Sequence, residues 1–86
     1  MKRWTAVFRV LANINRLKII KTLDGGCSMN VSDIAEHLGI SFKATSNHLA
    51  MLKNLDVLES RGIAGHVFYS INLGMPKDLR KAIGLI

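Results

Sequence analysis

The 86-residue sequence predicts a mostly α-helical fold that closes with a small β-hairpin and a terminal helix. Three observations carry this. Segments before residue 56 repeat apolar residues at helical spacing, residues 57–72 switch to β-favouring types around a Gly-bounded tip, and the closing PKDLRKAIGLI returns to helical spacing.

From the N-terminus, Trp4, Val7, Phe8 and Leu11 stand at offsets 0, 3, 4 and 7, the apolar stripe of an amphipathic helix. Asn13 or Asn15 can start a second helix through RLKIIKTLD, with Leu17, Ile20 and Leu23 inward, Arg16, Lys18 and Lys21 nearer solvent, and Gly25-Gly26 as its stop. Val31, Ile34, Ala35 and Leu38 repeat the offsets of the first helix. Asn30 and Asp33 mark the start of this third helix and Gly39 its end. Ser41 caps a fourth, residues 41–55, whose inward stripe is Thr45, Leu49 and Leu52, closed by Leu55. Residues 57–61 and 66–72 form the hairpin arms around Gly62–Gly65. Val67, Tyr69 and Ile71 lie on one face, His66, Phe68 and Ser70 on the other. Pro76 suits the first turn of the last helix, where Leu79, Ala82, Ile83 and Ile86 recur.

The length suits one domain spanning residues 1–86, and with 49% apolar residues a core can form without disulfides or metal. A core this small gains from a second copy. The stripes Trp4, Val7, Phe8, Leu11 and Leu79, Ile83, Ile86 are therefore candidates for a homodimer interface, against the alternative that both fold back on the monomer. No apolar run reaches the roughly 18 residues of a membrane span, and no secretory pattern is present. A soluble, cytoplasmic chain without membrane contact is expected. The single Cys27 fits a reducing compartment, as a small loop residue or, alternatively, a redox-sensitive thiol.

Two short helices joined by a tight turn, residues 30–55, form a helix-turn-helix, a layout that offers the second helix to a DNA major groove. Its outward residues are polar or small: Lys43, Ser46, Asn47, Ala50 and Lys53. An amide there can pair with adenine, and a cation can meet phosphate or guanine. Arg61 and His66 flank the hairpin tip and can touch phosphate or a minor groove, or serve as ordinary surface residues.

The net charge of +6 favours a polyanionic partner, but it is unevenly placed. Residues 1–24 carry six basic groups against Asp24. Residues 25–60 carry Lys43 and Lys53 against Asp33, Glu36, Asp56 and Glu59. Phosphate contacts must then come partly from flanking elements, or affinity from two linked copies. Catalysis has no support: His37, His48 and His66 are scattered, and no nucleophile–base spacing or phosphate loop is present. No cofactor is implied.

The stretches LANINRLKII, VSDIAEHLGIS, SNHLAMLKNLDVL and HVFYSIN resemble the ArsR-type winged helix-turn-helix regulators over Leu11–Ile71. The resemblance is carried most specifically by Ala12-Asn13 before Arg16-Leu17, and by Ser46, His48-Leu49 and Leu52. It implies double-stranded DNA as partner, with Ser41, Phe42, Lys43, Ser46, Asn47 and His48 at the DNA-facing end of the fourth helix and the wing, about residues 57–72, on the backbone. His48 stays open between a hydrogen bond towards DNA and packing beside Leu49. Asn47 stands where relatives often place a basic residue, and Phe42 replaces a commonly polar one. Many members sense metal through paired cysteines at the start of the third helix, where this chain has Asn30 and Ser32. The carboxylate and histidine ligands other members carry on the last helix are also missing from PKDLRKAIGLI. Metal sensing of either type is not expected. A winged-helix module that binds protein instead of DNA is the alternative function.

Overall fold

A computed structural model describes residues 2–85. Its elements run α1 (Lys2–Leu11), α2 (Ile14–Leu23), β1 (Met29–Asn30), α3 (Val31–Leu38), α4 (Phe42–Asn54), β2 (Leu58–Ile63), β3 (His66–Ile71) and α5 (Lys77–Ile83). The helix ends follow local chemistry. Asn13 begins α2 by accepting hydrogen bonds from the backbone N–H groups of Asn15 and Arg16. Asn30 accepts from Asp33 at 2.8 Å, and Ser41 from Ala44 at 3.0 Å, starting α3 and α4. Between them Gly39 takes φ 69°, the left-handed turn that lets α3 stop and α4 start within three residues. Pro76 sits just before α5, as its cap position, and not within its first turn.

The core is built from one face of each element. Ile34 of α3, Leu49 and Leu52 of α4, Ile19 and Leu23 of α2, Val57 ahead of β2, and Leu79 of α5 are all fully buried. In α2 the inward side differs from the sequence expectation: Ile19 is fully buried and Leu17 only partly, because α2 is covered on more than one side, by α1, α3, α4 and β3. Thr45 is the one buried polar side chain among the described residues, and its hydroxyl is satisfied by donating to the Ser41 carbonyl at 2.8 Å. The terminal stripes are only partly free. Val7 and Leu79 belong to the monomer core, whereas Trp4 and Leu11 are half-buried, Ile83 likewise, and Phe8 is 62% exposed. Ile86 lies outside the described residues.

The first arm of the wing runs closer to the tip than the sequence suggests, and the wing belongs to a larger sheet. Strands β2 and β3 pair from Leu58↔Ile71 out to Ile63↔His66, so Gly62 and Ile63 are strand residues and only Ala64-Gly65 turn. Both have positive φ, 50° and 82°, as a type I′ hairpin requires. Alanine pays a steric cost in that region that Asn or Gly would not, so within the expected Gly62–Gly65 tip the two-residue turn carries no Asn-Gly or Asp-Gly signal. The unexpected third strand, β1, pairs antiparallel with β3 through Met29↔Tyr69 and Asn30↔Phe68, giving the order β1-β3-β2. This pairing ties the start of α3 to the wing. Met29, Tyr69 and Ile71 pack against the core from the inner sheet face.

Arg16 does not lie out in solvent. Its Nε donates to the Val10 carbonyl and its Nη2 to the Arg9 carbonyl, meeting orphan carbonyls at the end of α1. Its Nη1 lies 3.1 Å from His48 Nδ1 and 3.3 Å from Met51 Sδ, both on α4. One guanidinium thus joins α1, α2 and α4. Arginine has no acceptor, so Nδ1 must accept and the ring proton sits on Nε2. Burial, aided by the Arg16 charge, holds the His48 pKa below its ordinary value.

A lowered folded pKa means the unfolded chain binds the proton more readily, so stability is full above the ordinary histidine value and falls as pH drops below it. In urea unfolding between about pH 7 and pH 5, His48→Gln should therefore lose less stability than the unaltered protein. Parallel losses in the two proteins would remove this coupling.

Candidate nucleic-acid interface

The burial of Thr45, Leu49 and Leu52 fixes how α4 is rotated about its axis. At 3.6 residues per turn the opposite side must then carry Lys43, Asn47, Ala50 and Asn54, and all four are exposed. Ser46, half-buried, flanks them on one side and Met51, exposed, on the other. Helix α4 begins straight after the Gly39 turn. Phe42 there is 59% exposed and Ser41 uses its hydroxyl as the cap.

The sequence-predicted DNA residues do not all share this face. Lys43, Ser46 and Asn47 do. His48 is turned to the α2 side of α4, where Arg16 occupies its Nδ1 and only Nε2–H remains to donate. Arg61 and His66 are exposed on the wing, on the sheet face opposite Leu58 and Ile71. That outer face also carries Glu59, Ile63 and Phe68. Phe42 and the wing tip meet: Phe42, Val31, Ser32, Gly65, His66 and Val67 line one cleft of about 160 Å³. The wing and the start of α4 therefore form one surface, held together by the β1–β3 pairing. A larger cleft of about 600 Å³, between the end of α2, the sheet and α5, shares no lining residue with that smaller cleft.

Charge on this surface is sparse. Lys43 and Lys53 are the only cations of α4, and Arg61 is the wing's only arginine or lysine. Among the N-terminal cations, Arg16 is committed to the α1 carbonyls and His48. Arg3 is paired with both carboxylate oxygens of Asp78 on α5, the second at 3.1 Å. That hydrogen-bonded guanidinium holds the Asp78 carboxyl below its ordinary pKa. Arg3 also lies 5.7 Å over the Trp4 ring, which in turn is 5.6 Å from Phe8. An exposed pair of this kind adds little stability, but it sets α1 beside α5.

Sequence reasoning missed Val67 as part of this surface and Arg16 as the brace behind it. Val67 alternates with the core-facing residues of β3, which suggests burial, but it lies beyond the end of the core and is 45% exposed. Among the described residues, no helix is long and apolar enough to cross a membrane, and no group of three or more His, Cys, Asp or Glu residues is placed to hold a metal ion.

Known proteins share this fold. Residues 13–60 match the family model described as bacterial regulatory protein, arsR family. The transcriptional repressor SdpR of Bacillus subtilis is 36% identical over 72 residues, covering 84% of this chain and 79% of that protein. The cadmium resistance transcriptional regulatory protein CadC of Listeria innocua is 39% identical over 64 residues, 74% of this chain but only 54% of its own length. Among solved structures, the homodimeric winged helix-turn-helix DNA-binding domain from Mycobacterium bovis superposes with a TM-score of 0.80 at 27% identity, covering 98% of this chain and 74% of that one. The residues matched include the Asn13 cap, the Arg16–His48 brace and the whole of α3, the Gly39 turn and α4, and the chain belongs to the arsR family of DNA-binding, winged helix-turn-helix transcriptional regulators.

Proposed function

We propose that the protein acts as a homodimer that binds a specific DNA sequence, with α4 in the major groove and the wing on the neighbouring backbone. The observation that carries this reading is the outward side of α4. Its core stripe is fully buried, and the opposite side offers one cation, two amides, a flanking half-buried hydroxyl and a small Ala50 in a surface continuous with the wing. Ala50 allows close approach, Asn47 can pair bidentately with adenine, Ser46 can donate or accept, and Lys43 and Arg61 can meet phosphate. With so few cations on this surface of each copy, two copies bound to successive grooves supply the missing affinity.

The dimer is assigned to the surface that the Arg3–Asp78 pair assembles from α1 and α5. Trp4, Phe8, Leu11 and Ile83 remain available there, while Val7 and Leu79 support it from within the core. Burying an exposed aromatic such as Phe8 against a second copy is the favourable way to remove it from water. The Mycobacterium bovis relative is itself described as homodimeric.

Sensing of metal by a thiolate pair does not fit the residues present. Asn30 stands at one of the matching positions with its amide oxygen engaged as the α3 cap, and Ser32 at the other offers no soft ligand. Cys27 is exposed in the loop before β1, outside that pair. An alternative reading, docking of a protein, draws on the exposed Phe42 and Val67 and on the low charge of the surface.

Binding to duplex DNA at several salt concentrations separates the two, since a DNA binder weakens steeply as salt rises and a protein-docking module shows no measurable affinity even at low salt. On a duplex selected from a random pool, Asn47→Ala should cost about 1–3 kcal/mol, and Ser46→Ala less, with little change on random duplex. Equal losses on both duplexes would show that these residues do not read bases. For the interface, Phe8→Glu should shift the protein towards monomer in sedimentation analysis with helix content retained. An unchanged mass would contradict this assignment.

A further inference from the structure

We infer that Phe42 is a specificity-determining residue that reads thymine, its ring resting on the C5-methyl group in the major groove. This deepens the reading of α4 as the DNA-reading helix and rests on it. Phe42 is the first residue of α4, and the leading residues of a recognition helix are those that reach base edges. Its ring is 59% exposed and takes no part in the core or in the shell packed on it, so folding alone does not account for an aromatic here.

The chemistry of the ring narrows what it can meet. Phenylalanine neither donates nor accepts a conventional hydrogen bond, so it cannot satisfy the polar groups that base pairs present. In the major groove the thymine methyl is the one apolar group that distinguishes a base edge. Placing the ring against polar edges would strip them of water without replacement, and that cost excludes the other bases. The surroundings favour the same contact. Val67, exposed at the wing tip, and Val31 line the cleft with Phe42, beside the polar Asn30, Ser32 and His66, so apolar surface is at hand at the junction of wing and helix. Asn47, five residues further on and about 140° round the helix, presents its amide for adenine from the outward side.

The test uses the full chain and the duplex it selects from a random pool. Each thymine is replaced in turn by deoxyuridine, which removes the methyl group alone, and affinity is measured for the unaltered protein, Phe42→Ala and Phe42→Gln. At one position of each half-site the unaltered protein should weaken about fourfold, the worth of one buried methyl group, while both variants bind thymine and deoxyuridine equally there. Phe42→Gln should also shift its preference at that position towards adenine, through the amide it gains. An unaltered protein that still prefers its selected duplex but ignores every replacement would overturn the methyl contact and leave the reading helix standing. So would a loss shared in full by Phe42→Ala, because another group would then be reading the methyl. Failure to select any sequence would overturn the reading of α4 itself. Should either variant fail to fold, the other carries the same comparison.

Discussion

The constraint on which the structure depends is the burial of Thr45, Leu49 and Leu52 along one side of α4. A helix sunk on that stripe has no rotational freedom left, and its remaining side chains are distributed by geometry alone. The polar demand that Thr45 brings into the core is met within the helix, by the Ser41 carbonyl, so the stripe stays compatible with close packing. Everything proposed for DNA reading follows from this orientation. Rotating α4 by a single residue, about 100°, would carry Asn47 towards the side and bring Lys53 or Ser46 to the front.

Arg16 secures the same helix from a second direction. Its guanidinium joins the carboxyl end of α1 to His48 and Met51 on α4, so the first helix and the reading helix are held by one charged group with four contacts. At the far end Arg3 sets α1 beside α5. Helix α1 therefore links the proposed subunit interface to the reading face through two arginines. In a dimer, the separation of the two α4 helices would be fixed by this chain of contacts, which is what matching to successive grooves demands.

How much of this was legible in the sequence depended on the range of the interaction. The caps at Asn13, Asn30 and Ser41 and the left-handed Gly39 are set within four residues, and the sequence announces them. The inward stripes of α3 and α4 were legible too, because the period of a helix is local. Strand β1 was not: two residues carry no periodicity, and Met29 and Asn30 become a strand only when Tyr69 and Phe68 arrive from 40 residues and 38 residues away. Arg16 looked like a solvent-facing cation because the carbonyls and the histidine it joins are gathered only by the tertiary fold. Val7 and Leu79 likewise read as free stripes until the burial of neighbouring helices placed them in the core. For the site, the sequence identified Lys43, Ser46 and Asn47 from helical geometry, but the notch between Phe42 and Val67 needed the wing to be folded back beside α4.

The central claim is that the outward side of α4, together with the wing tip, is the surface that meets DNA. Titrating isotopically labelled protein with its selected duplex, and following backbone amide chemical shifts, tests this most directly. The account predicts the largest shifts at Phe42, Lys43, Ser46, Asn47 and Ala50 and at Arg61 and His66, with the residues around the larger α2–α5 cleft little changed. Shifts concentrated at that cleft, with α4 and the wing undisturbed, would contradict it.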